Sequence, residues 1–255
     1  MTCVIIPTYN HAGTVADVVR GACQYVPDIF VVDDGSTDDT LQRLQPLSAS
    51  LGDRLHIISY TPNRGKGHAL LTGFRAATEA GFRYAVTLDS DGQHYPDDIP
   101  NLLAALKEHP DAMIVGQRSF NQENMPSKNT FANRFSNFWF RLQTGCLLDD
   151  TQCGFRIYPL QKLRWLNLVT SRYEAELELL VFSAWHDVPL IPVPVKVFYP
   201  DESERISHFR PAKDFARISL LNTALCFGAV VYALPCKLYT QITRKNSRRL
   251  SGSKE

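Results

Sequence analysis

The sequence predicts an α/β fold: a doubly wound, mainly parallel sheet with helices on both faces, followed by a C-terminal apolar helix. Two observations carry the sheet. Short β-branched runs, "TCVIIP", "DIFVVDD", "RLHIIS", "RYAVTLD" and "AMIVGQ", alternate with longer segments whose apolar residues recur three and four apart. Each run is also followed by a polar cluster, namely "PTYN", "DDGS", "NRGKG", "DSDGQH" and "GQRS". These clusters fall at the carboxyl ends of the strands, the edge where open α/β sheets bind ligands.

The elements follow in order. "TCVIIP" opens the sheet, and "AGTVADVVRGACQYV" has the spacing of an amphipathic helix. "DIFVVDD" is the second strand, and "TDDTLQRLQPL" the second helix, with Asp38 and Asp39 suited to its first turn. "RLHIIS" leads through "NRGKG" into "HALLTGFRAATEAG", and "RYAVTLD" leads through "DSDGQH" into "PDDIPNLLAALKEH". This alternation implies parallel crossovers. No repeat, low-complexity tract or linker precedes residue 205. Residues 1–210 are therefore expected to form one domain, residues 211–245 a membrane-associating helical segment, and residues 246–255 a basic flexible tail.

The totals set outer limits. A chain of 255 residues, 44% hydrophobic and 21% charged, can bury a full core. Its 27 Lys and Arg nearly balance 26 Asp and Glu, so no general field points toward nucleic acid, and charge must act locally. Six scattered cysteines with no CxxC pair argue against a zinc site or disulfide framework and fit a reducing compartment. "TCVIIPTYN" begins without a basic and apolar leader, so export by a signal peptide is not expected.

The stretch "TLDSDGQHYPDDIP" carries the chemistry. Residues two apart in an extended segment face one side, so Asp89 and Asp91 can reach one ion, and Gln93 continues that face. Carboxylate, amide and water oxygens suit Mg2+ or Mn2+, ions that usually bind together with substrate phosphates. The same residues also suit an acidic turn ahead of a helix from Pro96. Asp33 and Asp34 end the second strand, where a carboxylate can accept hydrogen bonds from a ribose or a base, with Tyr9 and Asn10 beside them.

In order and spacing, "VIIPTYN", "VVDDGSTDDT", "NRGKGHAL", "LDSDGQHYPDDIP", "VGQRS" and "DTQCGFRIYP" resemble the family 2 glycosyltransferases of the GT-A fold, over residues 2 to about 210. The nearest likeness is to the branch containing the dolichyl-phosphate mannosyltransferases and glucosyltransferases. The resemblance implies that Asp89 and Asp91, with Gln93, hold Mg2+ or Mn2+ against the diphosphate of a nucleotide-sugar. It places Pro7, Tyr9, Asn10, Asp34, Ser90 and Arg118 at the donor as well, and implies inversion at the anomeric carbon. Arg118 then faces the phosphates, whose fork of oxygens a guanidinium fits. The family's donor loop corresponds to "FYPDESERISHFRP", where Arg205 and Ser207 are present but His208 replaces the expected lysine.

Acceptor chemistry decides whether a base is needed. A lipid phosphate is already anionic at pH 7 and requires none, whereas a sugar hydroxyl does. Asp150 is the better candidate base. The other carboxylates on offer are Asp149 and, in "YEAELELL", Glu174, Glu176 and Glu178, of which Glu174 and Glu178, four apart, fit a solvated helix face. In "SKNTFANRFSNFWFRL", Asn133 and Arg134 are candidate phosphate contacts, and Phe131, Phe135, Phe138 and Trp139 candidate linings for an isoprenoid chain, with ordinary core packing as the alternative.

Two near-matches fail. "QKLRW" fits the signature of processive synthases but follows "GFRIYP" directly, with no "ED" pair before it and no series of membrane spans. "RGKG" lacks the GxxxxGK pattern of a phosphate loop and reads as a glycine-rich start to a helix near the donor.

Residues 218–234 carry no charge and lie between Arg217 and Lys237, at the lower length limit for a spanning helix, with basic residues on both sides. A helix lying in the interface, a true span and a buried core helix all remain open. Together these features point first to sugar transfer from a UDP- or GDP-linked donor to a polyprenyl phosphate at the cytoplasmic membrane face. The alternatives are transfer to a glycan or lipid-linked sugar hydroxyl with Asp150 as base, and a non-catalytic nucleotide-sugar-binding protein.

Overall fold

The computed structural model describes residues 1–118, 127–163, 168–198 and 211–236, and the side chains of all of these except 127–131 and 211–216. Its sheet has seven strands in the order β3-β2-β1-β4-β6-β5-β7. They are β1 (Thr2–Thr8), β2 (Ile29–Asp33), β3 (Leu55–Ser59), β4 (Tyr84–Thr87), β5 (Met113–Arg118), β6 (Arg156–Pro159) and β7 (Leu190–Val195). All pairings are parallel except those of β6, which runs antiparallel between β4 and β5.

The first five strands lie where the sequence predicts them, and β6 and β7 are additions. β6 is only four residues long, and β7 reads "LIPVPV". Its two prolines cannot donate to a ladder, and they are tolerated because β7 is the last strand of the sheet, paired with β5 alone.

The helices cover both faces. Against one pack α1 (Val15–Cys23), α2 (Thr40–Leu51) and α4 (Ile99–Glu108), through Val15, Val19, Leu44, Leu47, Ile99 and Leu102. Against the other pack α3 (Lys66–Glu79), α5 (Ser127–Thr144), α6 (Glu174–Trp185) and α7 (Pro211–Gly228), through Leu70, Phe74, Phe140, Leu179, Leu180, Leu221 and Leu225. The chain runs outward from β1 through β2 to β3, then returns to place β4 on the other side of β1. The strand order reverses there, between β1 and β4, and the carboxyl ends at such a reversal are where open α/β sheets form their binding crevice.

Close contact between α3 and α6 closes one wall of that crevice. A Cβ on Gly67 would lie 2.3 Å from the Ala175 Cβ and 2.9 Å from the Ser171 carbonyl carbon, so only glycine fits. Gly67→Ala is expected to lower stability by about 1–3 kcal/mol as the helices separate. An unchanged Tm in that variant would contradict the packing.

α7 lies along the domain and continues as a π-helical turn over Ala229–Ala233. Leu221, Leu225, Ala229 and Ala233 are buried at four-residue spacing, with Asn222 buried beside Leu221. The Gln143 Nε2 on α5 donates to the Asn222 Oδ1 at 2.9 Å, and the Trp185 Nε1 on α6 donates to the Gln143 carbonyl at 2.9 Å. The opposite side exposes Leu220, Phe227, Val230, Val231 and Leu234. Arg217–Cys236, with mean hydropathy 1.7, is long and apolar enough to cross a bilayer, yet one side of it is committed to the domain.

Candidate active site

The loops after β1 and β2 are tied to each other. Asn10 adopts φ 56°, the left-handed region that asparagine tolerates, and its Oδ1 accepts the Thr37 N–H at 2.7 Å, while its own N–H donates to the Ser36 Oγ at 2.9 Å. Pro7 is buried in β1 and Tyr9 is half-buried beside the crevice. Asp34 is buried, and its two oxygens accept the N–H groups of Arg64 and Gly65, each at 2.7 Å. Its first task is therefore to shape the glycine-rich turn ahead of α3. Gly65 there has φ 101°. Of the two aspartates assigned to the start of α2, Asp38 does the work, accepting the Thr40 N–H at 3.0 Å, whereas Asp39 makes no side-chain cap bond.

The loop after β4 holds the acidic pair. Ser90 is buried, and its carbonyl accepts the Thr14 hydroxyl at 2.5 Å. The Asp91 Oδ1 accepts the Gln93 N–H at 2.9 Å, and Gly92 supplies φ 75° for the turn between them. The segment after β7 crosses this loop. Phe198 N–H donates to the Gln93 carbonyl at 2.8 Å, and Lys196 N–H to the Asp98 Oδ2 at 2.6 Å. That segment leads into residues 199–210, so Arg205, Ser207 and His208 lie outside the described residues.

The two carboxylates differ electrostatically. Burial pushes the Asp89 carboxyl up, but the Lys66 ammonium 2.7 Å from its Oδ1 outweighs that and holds it below the usual range. Among the described residues Asp91 has no ion-pair partner, and burial, followed by the Asp89 charge, pushes it up to about 6. Lys66 also meets the Glu176 Oε2 at 2.9 Å.

The sequence reading missed Lys66 and Glu176. Lys66 had a signal, because a cation at the first residue of a helix opposes the helix dipole and needs carboxylate partners. The expectation of a solvated face for Glu174 and Glu178 is corrected, since both are buried, as is Glu176. α6 is buried on nearly all sides, and of its polar side chains Glu176 and Glu178 have clear partners whereas the Glu174 Oε2 and Ser183 Oγ have none among the described residues. Glu178, for example, accepts the N–H groups of Val169 and Thr170 at 2.7 and 2.9 Å.

Beside the acidic pair, Arg118 at the end of β5 grips Asp150. The Arg118 Nε donates to the Asp150 Oδ2 at 2.6 Å and its Nη2 to the Oδ1 at 2.8 Å, and Asp150 is only 1% exposed. The Asp150 loop is held from below by Arg156. This fully buried side chain donates to the carbonyls of Cys153, Thr151 and Glu176 at 2.7, 2.9 and 2.9 Å. α5 reaches the same loop, with Asn133 and Asn137 Nδ2 donating to the Asp149 carbonyl at 2.8 and 2.7 Å.

Residues 3–163 match the family described as Glycosyl transferase family 2, which is more than half of the chain. The chain belongs to that family. It is 31% identical over 217 residues to the UDP-N-acetylglucosamine–dolichyl-phosphate N-acetylglucosaminyltransferase of Methanococcus voltae, covering 78% of this chain and 86% of that one. It is 32% identical over 173 residues to the polyprenol monophosphomannose synthase of Mycolicibacterium smegmatis, covering 66% of this chain and 64% of that one. Among solved structures, it is similar in fold to glucosyl-3-phosphoglycerate synthase from Mycobacterium tuberculosis, crystallised with Mn2+, UDP and phosphoglyceric acid. The TM-score is 0.63 at 19% identity, covering 90% of this chain and 78% of that one.

The donor set of this family 2 glycosyltransferase fits a hard divalent ion. Among the described residues no three His, Cys, Asp or Glu side chains form a ready-made cage. Two acidic side chains, one of them left without a cation partner and raised in pKa, suit Mg2+ or Mn2+ that completes its shell with substrate phosphates. The acceptor candidates on α5 are split. Asn133 is buried with its Oδ1 unpartnered, whereas Arg134 is exposed. Phe138 is 60% exposed and stacks edge-on against Trp139, which also meets Phe135, and the Phe131 side chain lies outside the described residues.

Proposed function

We propose that this glycosyltransferase moves a hexose from a UDP- or GDP-linked donor to a polyprenyl phosphate, with inversion, at the cytoplasmic face of a membrane. The observation that carries the proposal is the placement of Asp89 and Asp91 at the reversal point of the sheet, beside the paired Arg118 and Asp150. Asp89, Asp91 and Gln93 would hold Mg2+ or Mn2+, which neutralises charge developing on the leaving diphosphate. Pro7, Tyr9, Asn10, Asp34 and Ser90 would line the nucleotide side, and Arg205, which lies outside the described residues, is assigned to the donor from the sequence alone. Arg118 donates N–H groups toward the phosphates while Asp150 fixes its orientation.

Asp150 favours the phosphate acceptor over the hydroxyl one. Its oxygens already accept from Arg118 and from the Gln152 N–H, so service as a general base would require that pair to open. A phosphate acceptor needs no base. The relatives named for dolichyl phosphate and polyprenol products support the same choice. Asn133 and Arg134 are proposed to meet the acceptor phosphate, with Phe135, Phe138 and Trp139 along its lipid. A screen of UDP- and GDP-sugars against a short polyprenyl phosphate tests the proposal, and transfer to a free saccharide alone would contradict it.

Asp91 gives the reading a pH signature. Its folded pKa lies above the ordinary carboxylate value, so the folded protein binds this proton more tightly than the unfolded chain does. The fold thus gains stability as pH falls from about 6 toward 4, while metal binding, which needs the carboxylate, fades. Mn2+ affinity is expected to drop about tenfold from pH 7 to pH 5. A flat profile would contradict the role of Asp91.

The apolar outer side of α7 is proposed to lie in the membrane interface, with Arg217 on the headgroup side. Because the inner side of α7 is core, cutting the chain after Pro211 would remove Leu221 and Leu225 and uncover the core they pack against, and substitution is the cleaner test. Phe227→Ser with Val231→Ser is expected to shift the protein from anionic vesicles into the soluble fraction without loss of Tm. Unchanged vesicle binding would remove α7 from the membrane contact.

A further inference from the structure

Lys66 is placed where three segments converge. Its ammonium lies 2.7 Å from the Asp89 Oδ1 and 2.9 Å from the Glu176 Oε2, with side chains only 17%, 24% and 11% exposed for Lys66, Asp89 and Glu176. The chain crosses close above them at Gly154. A Cβ on Gly154 would stand 2.8 Å from the Asp89 Oδ2, 2.9 Å from the Glu176 Oε1 and 3.1 Å from the Lys66 Nζ. The cluster is therefore packed by both the glycine-rich turn and the "TQCGFR" loop.

We propose that Lys66 is a built-in competitor for the carboxylate of Asp89, and that Glu176 sets how strongly it competes. A divalent cation then binds firmly only when a donor diphosphate adds its own oxygens. The inference rests on the reading that Asp89 and Asp91 hold the metal, and it goes further by making that site conditional. Asp89, Asp91 and Glu176 form no three-ligand cage, but without a cation among them their summed negative charge would draw a divalent ion to Asp89 and Asp91 even in the absence of a donor. One ammonium among them offsets part of that attraction and occupies one Asp89 oxygen. Glu176 shares the ammonium, so Asp89 is not wholly neutralised and can still take a metal when phosphates assist.

Signed changes test this. Mn2+ binding to the full-length protein without nucleotide can be followed at pH 8 by the electron paramagnetic resonance signal of free Mn2+. Lys66→Met is expected to bind Mn2+ about tenfold more tightly than wild type, because a competing charge has gone. Glu176→Gln should bind several-fold more weakly, because Lys66 is then left to Asp89 alone, and Lys66→Arg should stay near wild type. General loosening of the fold would weaken binding in both charge-changing variants and could not give opposite signs. Affinity in Lys66→Met equal to or below wild type overturns the proposal. If Lys66→Met does not fold, unchanged or tighter binding by Glu176→Gln overturns it instead. Absence of Mn2+ binding by the wild type even with UDP or GDP present would overturn the metal reading itself, and this inference with it.

Discussion

Asp91→Asn is expected to lower kcat by roughly a thousandfold or more, since the ligand charge it removes supports several kcal/mol of charge stabilisation in the departing diphosphate. The fold should not suffer. Asp91 is raised to about 6 by burial and by Asp89, so its charge opposes folding at neutral pH, and the isosteric amide should leave Tm unchanged or slightly higher. Steady-state turnover and thermal melts on the same preparation check both halves. Near-normal turnover would remove Asp91 from the centre, and a large fall in Tm would show that its role is structural.

Arg118→Ala is expected to damage stability and turnover together, for separable reasons. Asp150 is 1% exposed and receives two N–H donors from the Arg118 guanidinium. Removing the arginine strands a buried carboxylate, at a cost of about 3–5 kcal/mol, or on the order of 10 °C in Tm. Removing both partners, as Arg118→Ala with Asp150→Ala, should recover much of that stability but none of the activity, because the donor phosphates would still lack the guanidinium. A double variant as unstable as the single would show that the two residues are not energetically coupled. Full activity in either would place Arg118 outside the chemistry.

The fold was legible where local pattern and burial agree. β1 and β2 are continuous apolar runs because parallel central strands are covered on both faces, and their polar ends stood out against them. β6 gave no such signal, being four residues inserted antiparallel within a parallel sheet, and the prolines of β7 argued against a strand until its edge position was known. The family motifs singled out Asp34, Asp89, Asp91 and Arg118, which the structure brings to the carboxyl ends of β2, β4 and β5. What they did not convey was pairing. Lys66 is 23 residues before Asp89 and 110 before Glu176 (89 − 66 and 176 − 66), and only the packing of α3 on α6 brings the three together. Asp150 looked like an available base because sequence shows a carboxylate but not the arginine that holds it.

Crystals of the full-length protein soaked with Mn2+ and either UDP or GDP give the most direct test of the metal-dependent donor site, read as an anomalous difference map at the manganese edge. The account expects one strong peak within about 2.0–2.3 Å of an Asp91 carboxylate oxygen, shared with Asp89 and with the diphosphate, at the crevice between β1 and β4. A well-bound nucleotide with no manganese at Asp91, or manganese and nucleotide at another place on the protein, would contradict it.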